Sequence, residues 1–230
     1  YPGGSAAGVL RRGDVLLGID GTEIDGEGYY DHPLWGKIGF SDLINRRYYP
    51  GDEAEIRLLR DGSVLRKKLP LKRFRLKDYL IPIYNDGTPP DYLIVGGLVI
   101  QELSGDYLKR WGKNWSTDGN KKYLYYYWNY ARRPSPDRKK IVILNRVLPD
   151  EINVGYQMLK EEVIEEVNGK KISQIEDVAA GLEEPLDGFH RIGFEGFDRT
   201  IILPADSLDE ADRRIKEKYG IDRMRRITKD

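Results

Sequence analysis

One stretch of this chain recurs. PGGSAAGVLRRGDVLLGIDGTEI (Pro2 to Ile24) aligns with PDEINVGYQMLKEEVIEEVNGKKI (Pro149 to Ile172) when one single-residue gap is allowed. Pro2 then matches Pro149, Gly8 matches Gly155, Val15 matches Val163, and Ile24 matches Ile172. Asp20-Gly21 falls on Asn168-Gly169. Both dipeptides lie between apolar-rich runs and signal a tight hairpin, because both central residues of such a turn need positive φ. A repeat of this kind restricts the fold to two copies of one supersecondary unit.

The resemblance continues downstream. An amphipathic helix is expected over Phe40 to Tyr48, where Phe40, Leu43, Ile44 and Tyr48 share one face. A second is expected over Ser173 to Glu184, with Ser173 and Glu176 as a capping box and Ile175, Val178, Ala179 and Leu182 as its apolar face. Each helix precedes two strands, joined at Asp61-Gly62 in the first copy and at Gly196 in the second. The fold class is therefore α+β, with two small, partly open antiparallel β-barrels, each carrying short helices. The expected domains are 1–78 and 79–230, the second with an aromatic insertion near 112–139. A polar helix, SLDEADRRIKEKYG, is expected to stop at Gly220.

Composition excludes several functions. Thirty-eight basic and 38 acidic residues cancel, so no global field favours nucleic acid, anionic lipid or acidic substrates. No apolar run approaches the roughly 20 residues of a membrane span, and no leader pattern is visible. The absence of cysteine rules out disulfides, thiolate metal sites and a cysteine nucleophile, and it selects no compartment.

SAAGVLRRGDVLLGIDGTEI resembles the PDZ domains of Deg/HtrA proteases: small residues, then Gly13-Asp14 leading into a strand, then Asp20-Gly21. PDYLIVGGLVIQELS, IVILNRVLPDEINVGY and ILPADSLDEADRRIKEKYGI resemble the two PDZ domains of plant-type Deg proteases and their bacterial relatives. The likeness runs nearly end to end and implies a tandem PDZ region of a serine protease. Two departures stand out. In the first unit the chain starts downstream of the loop and strand that open such a domain, which implies a first domain lacking its N-terminal strand. In the second, Glu161-Glu162 replaces Gly-Asp.

The resemblance implies peptide binding by β-augmentation, in which an extended peptide pairs with a strand edge beside a helix. In the second unit Gly96, Gly97 and Leu98 are the candidate carboxylate nest, with Val99 and Ile100 starting the pairing strand. Val178 and Leu182 are candidate pocket walls. VGGLVI as a plain buried strand with a glycine bend, and Val178 and Leu182 as core, remain open alternatives. Leu43 and Arg47 are the groove candidates of the first unit. The second domain of such proteins can also hold an internal segment in place of an external ligand.

No catalytic constellation is expected. Ser5 in GGSAAG opens the short helical segment of the PDZ pattern, and the two histidines, His32 and His190, have no neighbouring triad or metal spacing. No P-loop or GxGxxG is present, so no cofactor is expected. The segment 112–139 joins two tryptophans and many tyrosines to a basic flank. Interface packing against a neighbouring domain or subunit, a flexible loop, and nucleic-acid or lipid contact are its open readings, the balanced charge disfavouring the last. KRFRLK (Lys72 to Lys77) reads as the charged face of a strand and linker.

The expected function is thus a non-catalytic peptide-binding and assembly region of a Deg/HtrA-like serine protease, active in protein quality control. Its expected partners are peptide or unfolded-protein substrates and further copies of itself bearing protease domains, with no nucleic acid and with membrane contact disfavoured. The alternative is a stand-alone PDZ adaptor that binds partner C-termini without a protease. The family resemblance suggests a bacterial cell envelope or an organelle, and no residue selects between them.

Overall fold

The computed structural model describes residues 4–73, 75, 78–83, 87 and 89–228. KRFRLK lies in part outside the described residues. The chain forms two compact units, Tyr1–Arg75 and Leu76–Asp230.

The first unit contains β1 (Val15–Ile19), β2 (Thr22–Glu23), β3 (Tyr29–His32), β4 (Gly36–Gly39), α1 (Phe40–Arg47), β5 (Glu53–Arg60) and β6 (Ser63–Pro70). Its main sheet has the order β2-β1-β5-β6, and β3 pairs with β4 separately. Strand β5 alternates as its sequence EAEIRLLR demands, placing Ala54, Ile56 and Leu58 in the core. Leu43 of α1 closes the same cluster from the helix side. Asp20-Gly21 makes the expected turn, with φ of 42° and 78°. Between Ile24 and α1, the segment 25–39 folds into the β3-β4 hairpin. Asp25 holds its base: Oδ1 accepts the Glu27 and Tyr29 N–H groups at 3.0 and 2.9 Å, and Oδ2 meets Lys37 at 2.8 Å. The Lys37 ammonium, followed by the Tyr29 N–H, lowers the Asp25 carboxyl to about 2.

The second unit contains β7 (Tyr92–Val95), β8 (Leu98–Glu102), α2 (Gly105–Leu108), α3 (Trp115–Asp118), α4 (Lys121–Tyr130), β9 (Val142–Val147), β10 (Lys160–Val167), β11 (Lys170–Lys171), α5 (Ile175–Gly181), β12 (Phe189–Phe194), β13 (Phe197–Pro204), α6 (Leu208–Lys218) and β14 (Arg225–Arg226). The sheet runs β13-β12-β10-β9-β8-β7-β14, with β11 hairpinned onto β10. Its centre is buried on both faces. Val142, Leu144 and Ile164 enter one apolar cluster, while Ile141, Ile143 and Val163 enter another. That two-sided burial explains the unbroken apolar run IVIL at the start of β9.

The second cluster corrects the reading of the aromatic insertion as a flexible loop, and it packs several of the insertion's aromatics against the unit's own sheet. Tyr123, Leu108 and Leu103 are fully buried in it, and Trp111, Trp115, Tyr126 and Tyr127 pack against it. The insertion is thus part of the unit's own core, because the outer face of β9 and β10 is apolar and needs cover. The capping of α5 is also displaced by one residue. Gln174 and Asp177 form the box, and Asp177 Oδ2 accepts the Ser173 and Gln174 N–H groups at 2.8 and 3.0 Å. Helix α6 ends as expected at Gly220, whose φ is +61°. The Ile221 N–H reaches Lys216 O and the Gly220 N–H reaches Glu217 O, which is the Schellman pattern.

Candidate peptide-binding site

Gly96 and Gly97 form the two-residue turn between β7 and β8, with φ of +53° and +81°. Glycine is required there on two counts. Both residues lie in the left-handed region, and at Gly97 the neighbouring backbone leaves no room for a side chain. A Cβ on Gly97 would stand 2.3 Å from Leu148 O and 2.4 Å from Asn153 Nδ2; on Gly96 it would stand 2.5 Å from Leu203 Cδ1. Asn153, itself fully buried, donates Nδ2 to both Gly96 O and Leu148 O at 2.8 Å. The Leu148 N–H donates to Gly97 O at 2.7 Å.

The Gly96 N–H donates to a carboxylate oxygen, Asp212 Oδ1 of α6, at 2.7 Å. Burial raises the Asp212 carboxyl to about 6, with a smaller push from Asp209 and Asp150, while the Gly96 N–H opposes the rise. The Gly96 N–H thus meets a carboxylate, and that carboxylate belongs to the chain.

The candidate residues of this unit converge around β8. Leu98 and Ile100 are fully buried beside Val178 of α5, and Leu182 packs against the same cluster from the end of that helix. Val99 is partly exposed. Strand β8 pairs with β7 on one side and β9 on the other, so it has no free edge in the folded chain. Beyond β7 the sheet continues into β14, where Arg225 pairs with Leu93 and the Ile94 N–H donates to Met224 O at 2.7 Å. The sequence carried no sign that β7 and β14 would fill these positions, since neither strand repeats anything in the first unit.

A second, partly buried carboxylate borders α5. Glu102, the last residue of β8, accepts the Ile175 N–H at 3.2 Å through Oε1. Burial raises its carboxyl to about 7; Lys140 opposes this, and Glu176 and Asp91 add to it.

In the first unit, Leu43 and Arg47 do not share a surface. Leu43 is 5% exposed in the core, whereas Arg47 is exposed and reaches Thr22 Oγ1 at 3.5 Å. Ser5 Oγ accepts the Lys72 N–H at 2.9 Å. His32 lies against Trp35, with ring centroids 4.4 Å apart. His190 is buried, with Nδ1 3.2 Å from Asn168 Nδ2.

A profile of the PDZ domain matches residues 81–226. The chain belongs to the PDZ domain family. Over 220 residues, 96% of this chain and 35% of the relative, it is 30% identical to Protease Do-like 2, chloroplastic, of Arabidopsis thaliana. Putative protease Do-like 11, mitochondrial, of the same plant is 26% identical over 96% of the chain and 34% of its own length. The serine protease DegP homolog of Plasmodium falciparum is 27% identical over 76% of the chain and 18% of its length. The chain therefore spans about a third of the two Arabidopsis relatives and corresponds to the PDZ part of Deg-like proteases.

Proposed function

We propose that the chain acts as two consecutive PDZ-type domains, 1–78 and 79–230, that recognise or gate peptide and unfolded-protein substrates for a Deg/HtrA-like serine protease and support its assembly. Hydrolysis belongs to a trypsin-like domain elsewhere in that protein. The observation carrying this reading is the bond from the Gly96 N–H to the Asp212 carboxylate, beside a strand and helix that converge on one turn. A turn that binds an internal carboxylate has the means to bind a peptide's terminal one.

The second domain is then self-occupied. Strand β7 runs antiparallel to β8 in the manner of an added peptide strand, and Asp212 stands in for a terminal carboxylate. Gly96, Gly97, Leu98, Val99, Ile100, Val178 and Leu182 form the site in this reading, which suits gating and assembly better than constant capture of free ligand. In the first domain, Arg47 is the one of the two candidates on α1 that is open to a ligand, since Leu43 is in the core. Similarity to proteases over 96% of the chain favours a protease arm over a stand-alone adaptor.

The test is calorimetric titration of the chain and of Asp212→Ala with a peptide ending in a hydrophobic residue, as free acid and as C-terminal amide. The wild-type chain is expected to bind weakly. The variant should prefer the free acid by about tenfold, equivalent to about 1.4 kcal/mol. Equal binding of acid and amide would remove the nest, and no binding by the variant would leave assembly as the second domain's role.

A further inference from the structure

The neutrality of the whole chain conceals a local excess of positive charge. Residues 112–139 carry seven Lys and Arg against two Asp. Lys122 and Arg138 turn toward Glu162 and Glu195. Lys113, Lys121, Arg132 and Arg133 remain exposed and make no ion pair among the described residues.

Helix α4 carries the rest of the feature. Its 3.6-residue period aligns Lys121, Tyr125, Trp128 and Asn129 on the solvent side, and Arg132 continues that line past the last turn. Tyr125 is 56% exposed and Trp128 62%. These rings are held in place. Trp128 lies parallel to Trp115 within 9°, centroids 6.2 Å apart, and edge-on to Tyr127 at 5.2 Å. The Tyr125 and Tyr130 hydroxyls are 3.3 Å apart. The inner side of the helix is spent on the core through Tyr123 and Leu124, so the fold itself leaves this aromatic strip, with a cation at each end, uncovered.

We propose that this face docks on an anionic lipid surface, with Trp128 and Tyr125 in the headgroup layer and Lys113, Lys121, Arg132 and Arg133 on lipid phosphates. Amphipathic aromatic rings settle at the membrane–water interface, and cationic side chains beside them find anionic headgroups. No helix is long and apolar enough to cross a membrane among the described residues, so α4 would lie along the surface. Two features favour lipid over the other polyanions. Trp128 is packed against Trp115 and Tyr127, and Tyr125 is tied to Tyr130 through their hydroxyls, which fixes the rings in one strip instead of separate platforms that open to admit bases. A helix also has its backbone donors satisfied internally and offers no strand edge to an acidic peptide.

The experiment is co-sedimentation of the 230-residue chain with phosphatidylcholine vesicles and with vesicles containing about 30% phosphatidylglycerol, at about 0.05 and 0.5 M salt. Binding is expected with the anionic vesicles at low salt, together with a blue shift of tryptophan emission. Trp128→Ser and the pair Lys121→Glu with Arg132→Glu should each weaken binding about tenfold, and Trp128→Phe should retain it. A second charge reversal, Lys113→Glu with Arg133→Glu, lies outside the helix and serves if Trp128→Ser loosens the packing on Trp115. Equal sedimentation with neutral and anionic vesicles, binding untouched by both charge reversals, or tighter capture of a single-stranded oligonucleotide than of vesicles would each overturn the proposal.

Discussion

In both units the first strand of the repeated framework makes the same pairing. Strand β1 joins β5 with a break in register between Leu16 and Gly18, and β10 joins β12 with one between Ile164 and Glu166. The turns that follow share their backbone, and the residue at the head of each plays the same role. Asp20 Oδ1 accepts the Glu55 N–H, and Asn168 Oδ1 accepts the Arg191 N–H. The copies part at the far edge of that strand. Strand β10 continues through β9 into β8 and β7, whereas among the described residues β1 meets only the two-residue β2 there. Val163 is accordingly fully buried, and its counterpart Val15 is 47% exposed. One local code therefore gives two degrees of burial, set by what packs beside it.

The charges diverge in the same way. In the first unit Asp14 pairs with Arg60 at 2.7 Å, and that guanidinium, followed by the Arg11 N–H, lowers its carboxyl to about 2. At the start of β10, Glu161 and Glu162 are met by Arg110 and Lys122. The replacement of Gly-Asp by Glu-Glu is thus answered by Arg110, just ahead of the inserted region, and by Lys122 within it, and Glu161 takes a φ of +59° where Gly13 has +95°.

The largest expected effect contrasts two glycines. Gly97→Ala should cost the second unit about 4 kcal/mol, since strain and a clash with Leu148 O and Asn153 combine. Gly13→Ala, with open space around it, should cost the first unit about 1 kcal/mol of left-handed strain. Hydrogen exchange read unit by unit measures both, and equal costs would break the contrast. Next are the turn heads. Asn168 also donates Nδ2 to Gly181 O and Glu184 O at 2.9 and 3.0 Å, so Asn168→Ala should cost about 3 kcal/mol. Asp20→Ala leaves the Glu55 N–H and the Tyr48 hydroxyl near solvent and should cost about 1 kcal/mol.

The pH response sharpens the comparison further. Glu102 at about 7 and Asp212 at about 6 bind their protons more tightly folded than unfolded. The stability they contribute is present at acid pH and is lost as pH rises through about 4 to 7. His190, lowered by burial, works the other way below its ordinary value. In the first unit Asp14 and Asp25, both held near 2, contribute stability that is lost as pH falls from about 4 toward 2. Glu102→Gln should therefore stabilise the second unit at pH about 8 by about 1–3 kcal/mol and flatten its slope between about 4.5 and 7. Urea titrations across pH check this, and an unchanged slope would remove Glu102 from the account. The smallest effect is Arg47→Ala, expected to shift first-unit stability by less than about 0.5 kcal/mol, whereas Leu43→Ala should cost about 2–4 kcal/mol.

Much of the framework was readable because its signals are local. Asp20-Gly21, Asp61-Gly62 and Asn168-Gly169 announce their turns through the positive φ they accept, and α1, α5 and α6 announce themselves through apolar spacing and terminal residues. The β3-β4 hairpin escaped because strands of four residues among glycines carry too little pattern. Gly96 and Gly97 were legible as a conformational need. Which carboxylate meets their turn was not, because Gly96 and Asp212 stand 116 residues apart. The same limit hid the two filled edges of β8 and the burial of Tyr123. Backbone sterics and periodicity wrote the turns, the helices and the repeat into the residues themselves. Which edges stay open, which carboxylates lose solvent and which aromatic face keeps it depend on segments that pair across the chain, and so were settled by the fold.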